Sequence, residues 1–467
     1  MLRPAHLAVA SLVAVLVAAG GPADAATLTV TTGLDTGDGV CDATCSLRDA
    51  VTVANATGTS NDIVLPAGTF FLTTTGGGED ANKTGDLDVT NDLTIRGAGP
   101  GATTIQAAMG DRVIDVLAGA GLRLFDLTLT GGVAPVDEGG GGIRDTTGGG
   151  LALQRVVVRG NLGPGSLTGY GGGIRMSGAH LSTDAVAIVG NAAWGGAFGG
   201  GIFLSGPGTS ADLVNTTIAG NVGNTAGGGL YSNTPVPISM VNVTLAGNRS
   251  SNGAGGVDGD LSRLTARSSI ITGNAGANCG VGVTLTSEGG NVADAACGLN
   301  LASDVHAADP LLEPLTLNAA MPVMLPAAGS PALDRAVGTC PSADATGLAR
   351  PQGPRCDAGA AERPVPVVAP ASSAPVTTPV APIAAGLPRI LGPARVGHVI
   401  SCRMPVFRGA TLVGRAWLRN GRAIRRATRA TYRVTRADAG RVLTCRVTAT
   451  GAGGRTVSVS LGILARA

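Results

Sequence analysis

The sequence predicts an all-β protein: a right-handed parallel β-helix with an N-terminal capping helix, followed by a small β-sandwich. Three observations carry this. A motif of about thirty residues recurs five times between Gly139 and Asn274. Each copy pairs short β-branched runs with glycine and asparagine corners. A Cys…Trp…Cys pattern then follows a proline-rich break in composition.

Each repeat opens on glycines before an apolar residue: Gly140-Gly141-Gly142-Ile143, Gly171-Gly172-Gly173-Ile174, Gly199-Gly200-Gly201-Ile202, Gly227-Gly228-Gly229-Leu230 and Gly255-Gly256-Val257. Each closes on Asn161, Asn191, Asn221, Asn248 or Asn274, giving periods of 30, 30, 27 and 26 residues. A period of that size means a stacked array. Runs such as Val156-Val157-Val158 are too short and too β-branched for helical repeats. Gly and Asn tolerate the left-handed backbone of a tight corner. A unit this small cannot bury its own apolar face, so it stacks on its neighbours about 4.8 Å apart. Aligned Asn residues are then expected to form a ladder.

From the N-terminus, residues 1–25 read as an export signal: Arg3 precedes the apolar run 7–19, and Ala23-Asp24-Ala25 offers small-x-small cleavage. That run is too short to span a membrane. A secreted protein, extracellular or on the cell surface, is expected. The eight cysteines fit that compartment as neighbouring pairs: Cys41 with Cys45, Cys279 with Cys297, Cys340 with Cys356, and Cys402 with Cys445. Sequence alone leaves that pairing unproven. Where the repeat decays after Asn274, Cys279 and Cys297 are expected to staple an irregular rung. Residues 26–130 supply the cap and first rungs, residues 131–330 the repeats.

Ser46, with Asp49 three residues on, makes a capping box for a helix whose Leu47, Ala50, Val51 and Ala54 share one face. Covering the open end of the β-helix is its expected role. The run Cys45-Ser46-Leu47-Arg48-Asp49-Ala50 resembles the Cys-Ser-Leu-Arg-Glu-Ala signature of the CSLREA domain of secreted bacterial proteins, one substitution away. The repeats resemble the pectate-lyase-like (pectin lyase-like) β-helix architecture. Residues 331–362, with Ser330-Pro331-Ala332-Leu333-Asp334 and Cys356-Asp357-Ala358-Gly359-Ala360-Ala361-Glu362, resemble the choice-of-anchor-type closing motif of secreted β-helix proteins. That resemblance implies a C-terminal cap. The family's Asp-Gln-Arg-Gly is Asp344-Ala345-Thr346-Gly347 here and lacks the arginine.

Residues 363–387 form a Pro-rich linker. Residues 388–467 differ sharply in charge. From Leu387 onward there are 16 Arg and one acid, Asp438, a net of +15; residues 26–386 hold 16 Lys+Arg against 29 acids, a net of −13. Cys402, Trp417 and Cys445 have Ig-like spacing, and the module resembles bacterial Ig-like repeats. Trp417 is read as core. Arg422, Arg425, Arg426 and Arg429 are the candidate polyanion-binding residues, in an expected loop. So basic a module in an exported chain points to cell-wall polyanions or acidic polysaccharide, not nucleic acid, since few aromatics interleave the arginines.

A catalyst is not evident. The chain has no Gly-His-Gly, no adjacent Asp pair, and Lys83 as its only lysine. The nearest catalytic candidates are Asp258 and Asp260, set beside Arg263 and Arg267, and Asp137 and Glu138, set beside Arg144. Turn carboxylates are the plainer reading of both. Glu79, Asp80, Asp86 and Asp88 are candidate calcium ligands, with a solvated loop as the plainer reading; no other cofactor is expected. The reading is an exported, monomeric β-helix with a structural, adhesive or polysaccharide-binding role, held to anionic envelope polymers by its basic module. The alternative is a polysaccharide lyase or glycoside hydrolase acting on acidic polysaccharide.

Overall fold

The computed structural model describes residues 26–108, 110–164, 170–365 and 381–467. The expected export signal and most of the expected linker lie outside them. No helix among the described residues is long and apolar enough to cross a membrane.

The repeats coil into a parallel β-helix of three sheets. A seven-stranded short sheet takes Leu87–Val89, Ile114–Val116, Ile143–Asp145, Ile174–Ser177, Ile202–Ser205, Leu230–Ser232 and Val257–Gly259 in chain order. A long sheet holds Leu122–Thr130, Leu151–Arg159, His180–Val189 and Ser210–Ala219 in parallel register. A four-stranded third sheet takes Leu162–Pro164, Ala192–Trp194 and their successors. Leu, Ile and Val from every rung fill one continuous interior.

The asparagines form the expected ladder. Asn191 donates its backbone N–H and its Nδ2 to Asn221 Oδ1, at 2.9 and 3.0 Å. Its second Nδ2 proton reaches the Val158 carbonyl, 2.9 Å away. The same three bonds recur at Asn221 and Asn248. Every corner amide is thus satisfied inside the protein, as buried polar groups require.

The three glycines before Ile143, Ile174, Ile202 and Leu230 have three separate causes, seen at the third of these runs. At Gly199 φ is +66°, a conformation costly for any side chain. A Cβ on Gly200 would lie 2.4 Å from the Val222 carbonyl carbon. One on Gly201 would lie 2.5 Å from the Gly229 oxygen and 3.1 Å from Asn221 Nδ2, inside ordinary van der Waals contact. The third sheet, the rung beyond and the ladder therefore press on one tripeptide.

Helix Leu47–Thr57 starts with both bonds of the capping box at Ser46 and Asp49 and buries Leu47, Ala50, Val51 and Ala54. All four cysteine pairs are bonded as expected: Cys41 to Cys45, Cys279 to Cys297, Cys340 to Cys356, and Cys402 to Cys445. Cys279 and Cys297 staple an irregular rung, as expected: Cys297 ends the 3-10 turn Ala295–Cys297, which follows the short strand Val292–Ala293. The turn carries Cys297 back to Cys279, and both cysteines are buried in the interior of the coil. A left-handed bend recurs along the long sheet: at Asp126, Arg155, Ala185 and Asn215 within its four long strands, and at Asn242 and Ser268 between the paired short strands of the next two rungs.

The segment 331–362 corrects an expectation. It packs along the flank of the long sheet instead of closing an end. Ala345, Ala360 and Ala361 cover the outward Val157, Ala187, Val189 and Ala219, and Asn242 Nδ2 donates to the Asp357 carbonyl over 3.1 Å. The cause lies in the long sheet, whose outer face is apolar in these rungs and must be covered. Arg350 and Glu362 hold the cover together through a fully buried 2.9 Å ion pair. Asp344 accepts from the backbone N–H groups of Thr346, Leu348 and Glu362.

Residues 381–467 pair antiparallel in separate sheets. Cys402 and Cys445 bond the strand Val399–Arg403 of one to Val442–Gly451 of another. Trp417 stands opposite Cys445 in register and is fully buried, a core residue as expected.

Candidate functional site

Side chains alternate between core and solvent along a strand. In the short sheet Leu87, Ile114, Ile143, Ile174, Ile202, Leu230 and Val257 point inward. The residue after each forms one column on the opposite face: Asp88, Asp115, Arg144, Arg175, Phe203, Tyr231 and Asp258, each in direct register with the next. The column passes from acid to base to aromatic and back to acid.

Its first part is a dense ionic network. Arg112 donates to Asp86 Oδ2 at 2.9 Å, to Asp115 Oδ2 at 3.3 Å and to Glu138. Arg144 donates to Asp115 Oδ1 at 2.8 Å and to Glu138 at 2.5 Å. Asp86, Asp88, Asp111 and Asp115 are all buried. Burial pushes the Asp86 carboxyl up to about 7 despite Arg112, and pushes Asp88 up to about 8, with the charge of Asp86 adding to the effect.

Arg175 is the turning point. Its guanidinium lies 5.3 Å from the centre of the Tyr170 ring and donates to the Glu138 carbonyl. Among the described residues it forms no ion pair, and its Nε is buried without a hydrogen-bond partner. Burial, and then the charge of Arg144, holds its pKa below the usual arginine range. Beyond it Tyr170, Phe198, Phe203 and Tyr231 form one aromatic patch. Tyr170 and Phe203 lie 4.3 Å apart between centroids, Phe198 and Tyr231 4.6 Å. Phe203 is buried beneath the other three, which are half-buried. Four of the chain's eleven aromatic rings meet here, so an overall scarcity of aromatics does not mean a lack of stacking surface.

Glu138 does meet Arg144. Asp137, just before it, sits in a left-handed turn and donates its N–H to the Pro164 carbonyl. Asp258 ends the column beside Tyr231 and forms no ion pair with Arg263 or Arg267 among the described residues; Arg267 belongs to the long sheet, where it reaches Glu288 across 3.9 Å. Asp258 accepts from the Ala254 and Gly259 N–H groups, and Asp260 is exposed at the turn that follows. Of the calcium candidates, Asp80 and Asp88 approach each other, joined by Asp115, which was not foreseen. Glu79 instead accepts from Ala81, Lys83 and Thr84, and Asp86 from Arg112. Arg425, Arg426 and Arg429 are exposed in irregular segments as expected, whereas Arg422, also exposed, starts the short strand Arg422–Ala423.

No family model matches the chain and no curated protein matches it. Among solved structures it is similar to pectate lyase Pel9A, at 12% identity and a TM-score of 0.42, covering 73% of this chain and 98% of that one. It is also similar to the A-module of the Azotobacter vinelandii mannuronan C-5 epimerase AlgE6, at 16% identity and a TM-score of 0.25, covering 56% and 86%. These likenesses assign this chain no chemistry; the parallel β-helix stands on its own strand registers.

Proposed function

We propose that this is an exported protein that binds acidic polysaccharide on the short-sheet face of its β-helix. The observation that carries the reading is Arg175, a partly covered guanidinium that forms no ion pair among the described residues and lies next to half-exposed aromatic rings. A uronate chain supplies both complements: a carboxylate for the guanidinium and a sugar-ring face for Tyr170, Phe198 or Tyr231. Binding is favoured over cleavage because Asp115 and Glu138 are already tied to arginines and Asp258 is engaged by backbone N–H groups. The basic module gives a second, less selective attachment to anionic envelope polymers. Its single acid, Asp438, is consumed by Arg419 at 2.6 Å, Tyr432 at 2.8 Å and Thr435. Arg422, Arg425, Arg426 and Arg429 form no ion pairs among the described residues.

The test titrates the mature protein with polygalacturonate and alginate oligosaccharides, and separately with teichoic acid over a range of salt. Arg175→Ala is expected to weaken oligosaccharide binding by about 2 kcal/mol, roughly thirtyfold. Replacing Arg422, Arg425, Arg426 and Arg429 by Ser is expected to weaken the salt-sensitive teichoic acid binding and leave the oligosaccharide binding unchanged. Oligosaccharide affinity untouched by Arg175→Ala would overturn the first claim. Unsaturated uronate or new reducing ends during incubation would replace binding by catalysis.

A further inference from the structure

At the acidic end of the column the first two rungs lie under the insert that connects strand Gly68–Leu72 to strand Leu87–Val89. One carboxylate oxygen from each of Asp80, Asp88 and Asp115 falls within 4.8 Å of the others. Asp88 and Asp115 are register partners on consecutive rungs, and Asp80 reaches them from the insert. Asp88 is completely buried. Its Oδ2 accepts from the Asn82 N–H over 2.7 Å, while its Oδ1 is sealed from solvent with no hydrogen-bond donor. The Oδ1 of neighbouring Asp86 is in the same condition. A buried carboxylate oxygen without a donor costs free energy unless something positive meets it.

The charges around it leave a deficit of cations. Asp80, Asp86, Asp88, Asp111, Asp115 and Glu138 surround the site, and Arg112 and Arg144 are the guanidiniums bonded into it. Arg48 is committed to Asp35, at 2.7 Å, and to the Gly85 and Asp86 carbonyls. Neither Arg112 nor Arg144 bonds Asp88 or Asp80. The donors are all oxygen, which selects a hard cation, and oxygens up to 4.8 Å apart are what ligands on opposite sides of an ion with bonds of about 2.4 Å require.

We propose that Asp80, Asp88 and Asp115 bind one divalent cation of the calcium class, which fastens the 73–86 insert to the first two rungs. The insert also touches the capping helix, since Asn82 Nδ2 donates to the Arg48 carbonyl at 2.9 Å and to Thr52 at 2.8 Å. The ion therefore joins cap, insert and coil at one point. This site is separate from the polysaccharide reading and does not depend on it: it is structural, at the first two rungs, and uses neither Arg175 nor the aromatic rings.

The experiment uses the full mature chain, stripped with chelator and then titrated with CaCl2, following heat by calorimetry and the thermal unfolding midpoint. Saturable binding of one ion with a rise in the midpoint is expected. Asp88→Asn and Asp80→Asn are each expected to weaken binding at least tenfold, while Asp258→Asn leaves it unchanged. Asp80 is exposed, so its variant keeps the test decisive should Asp88→Asn fail to fold. No saturable heat in the parent protein, or parental affinity in Asp80→Asn, overturns the site.

Discussion

The Asn ladder and the outward column of the short sheet are built from the same rungs, yet they obey opposite rules. Along the ladder each rung repeats its neighbour: Asn191, Asn221 and Asn248 make the same three hydrogen bonds. Along the column, Asp88, Asp115, Arg144, Arg175, Phe203, Tyr231 and Asp258 change character every rung or two. Stacking demands identity where rungs touch inside and leaves the outer positions free. In this molecule the invariant positions hold the coil, and the variable ones are where chemistry can be placed.

That contrast can be broken most severely at Gly200. A Gly200→Ala change puts a methyl group against the Val222 backbone, which cannot move aside without shifting a rung. We expect a loss of more than about 4 kcal/mol, read from urea denaturation by circular dichroism, or failure to accumulate folded protein. A next-smaller effect is expected from Asn221→Ala. It strips from Asn191 the one oxygen that accepts two of its N–H bonds, from the Ile188 carbonyl a donor, and from Asn248 Oδ1 the side-chain donor while the backbone N–H remains, for about 3 kcal/mol. An Asn221→Ala protein as stable as the parent would mean the ladder is ornament to the fold. The smallest effect belongs to the column. Tyr231→Ala should cost about 1 kcal/mol of oligosaccharide affinity, roughly fivefold in Kd, with less stability lost than at Asn221. If Tyr231→Ala unfolds the protein as readily as Asn221→Ala does, the division between inner and outer positions fails.

The same division explains what could be read from the chain. The glycine runs and closing asparagines recur at a regular period because stacking forces them to, so the β-helix, the ladder and the helix cap at Ser46 were legible. The column was within reach: it occupies the position just after Ile143, Ile174, Ile202, Leu230 and Val257, the residues on which each repeat was already aligned. Past Asn274 the period fails, and with it the means of telling a strand from the 3-10 turn that ends at Cys297. Sequence proximity did not decide the partners of Asp258, because Arg263 and Arg267 lie past a corner and Arg267 is on another sheet. Asp115 could not be joined to Asp80 and Asp88 without knowing the rung spacing. The bends were hidden for a different reason. Arg155, Ala185 and Ser268 are not residues that choose a left-handed backbone; the coil imposes it on them.

The ladder also has a direction. Gly132 donates to Asn161 Oδ1 at one end, and each Asn from Asn161 to Asn274 donates onward to the next. The series finishes where Asn278 donates to Asp294 Oδ2 at 2.7 Å. An acceptor that needs no further amide is a full stop. From Asn161 to Asn274 the links between repeats are alike, so the ladder itself does not fix the number of turns. One more copy of the segment 192–221 would find a donor before it and an acceptor after it. Lengthening such a protein is therefore a matter of duplication within the series, with both ends kept as they are.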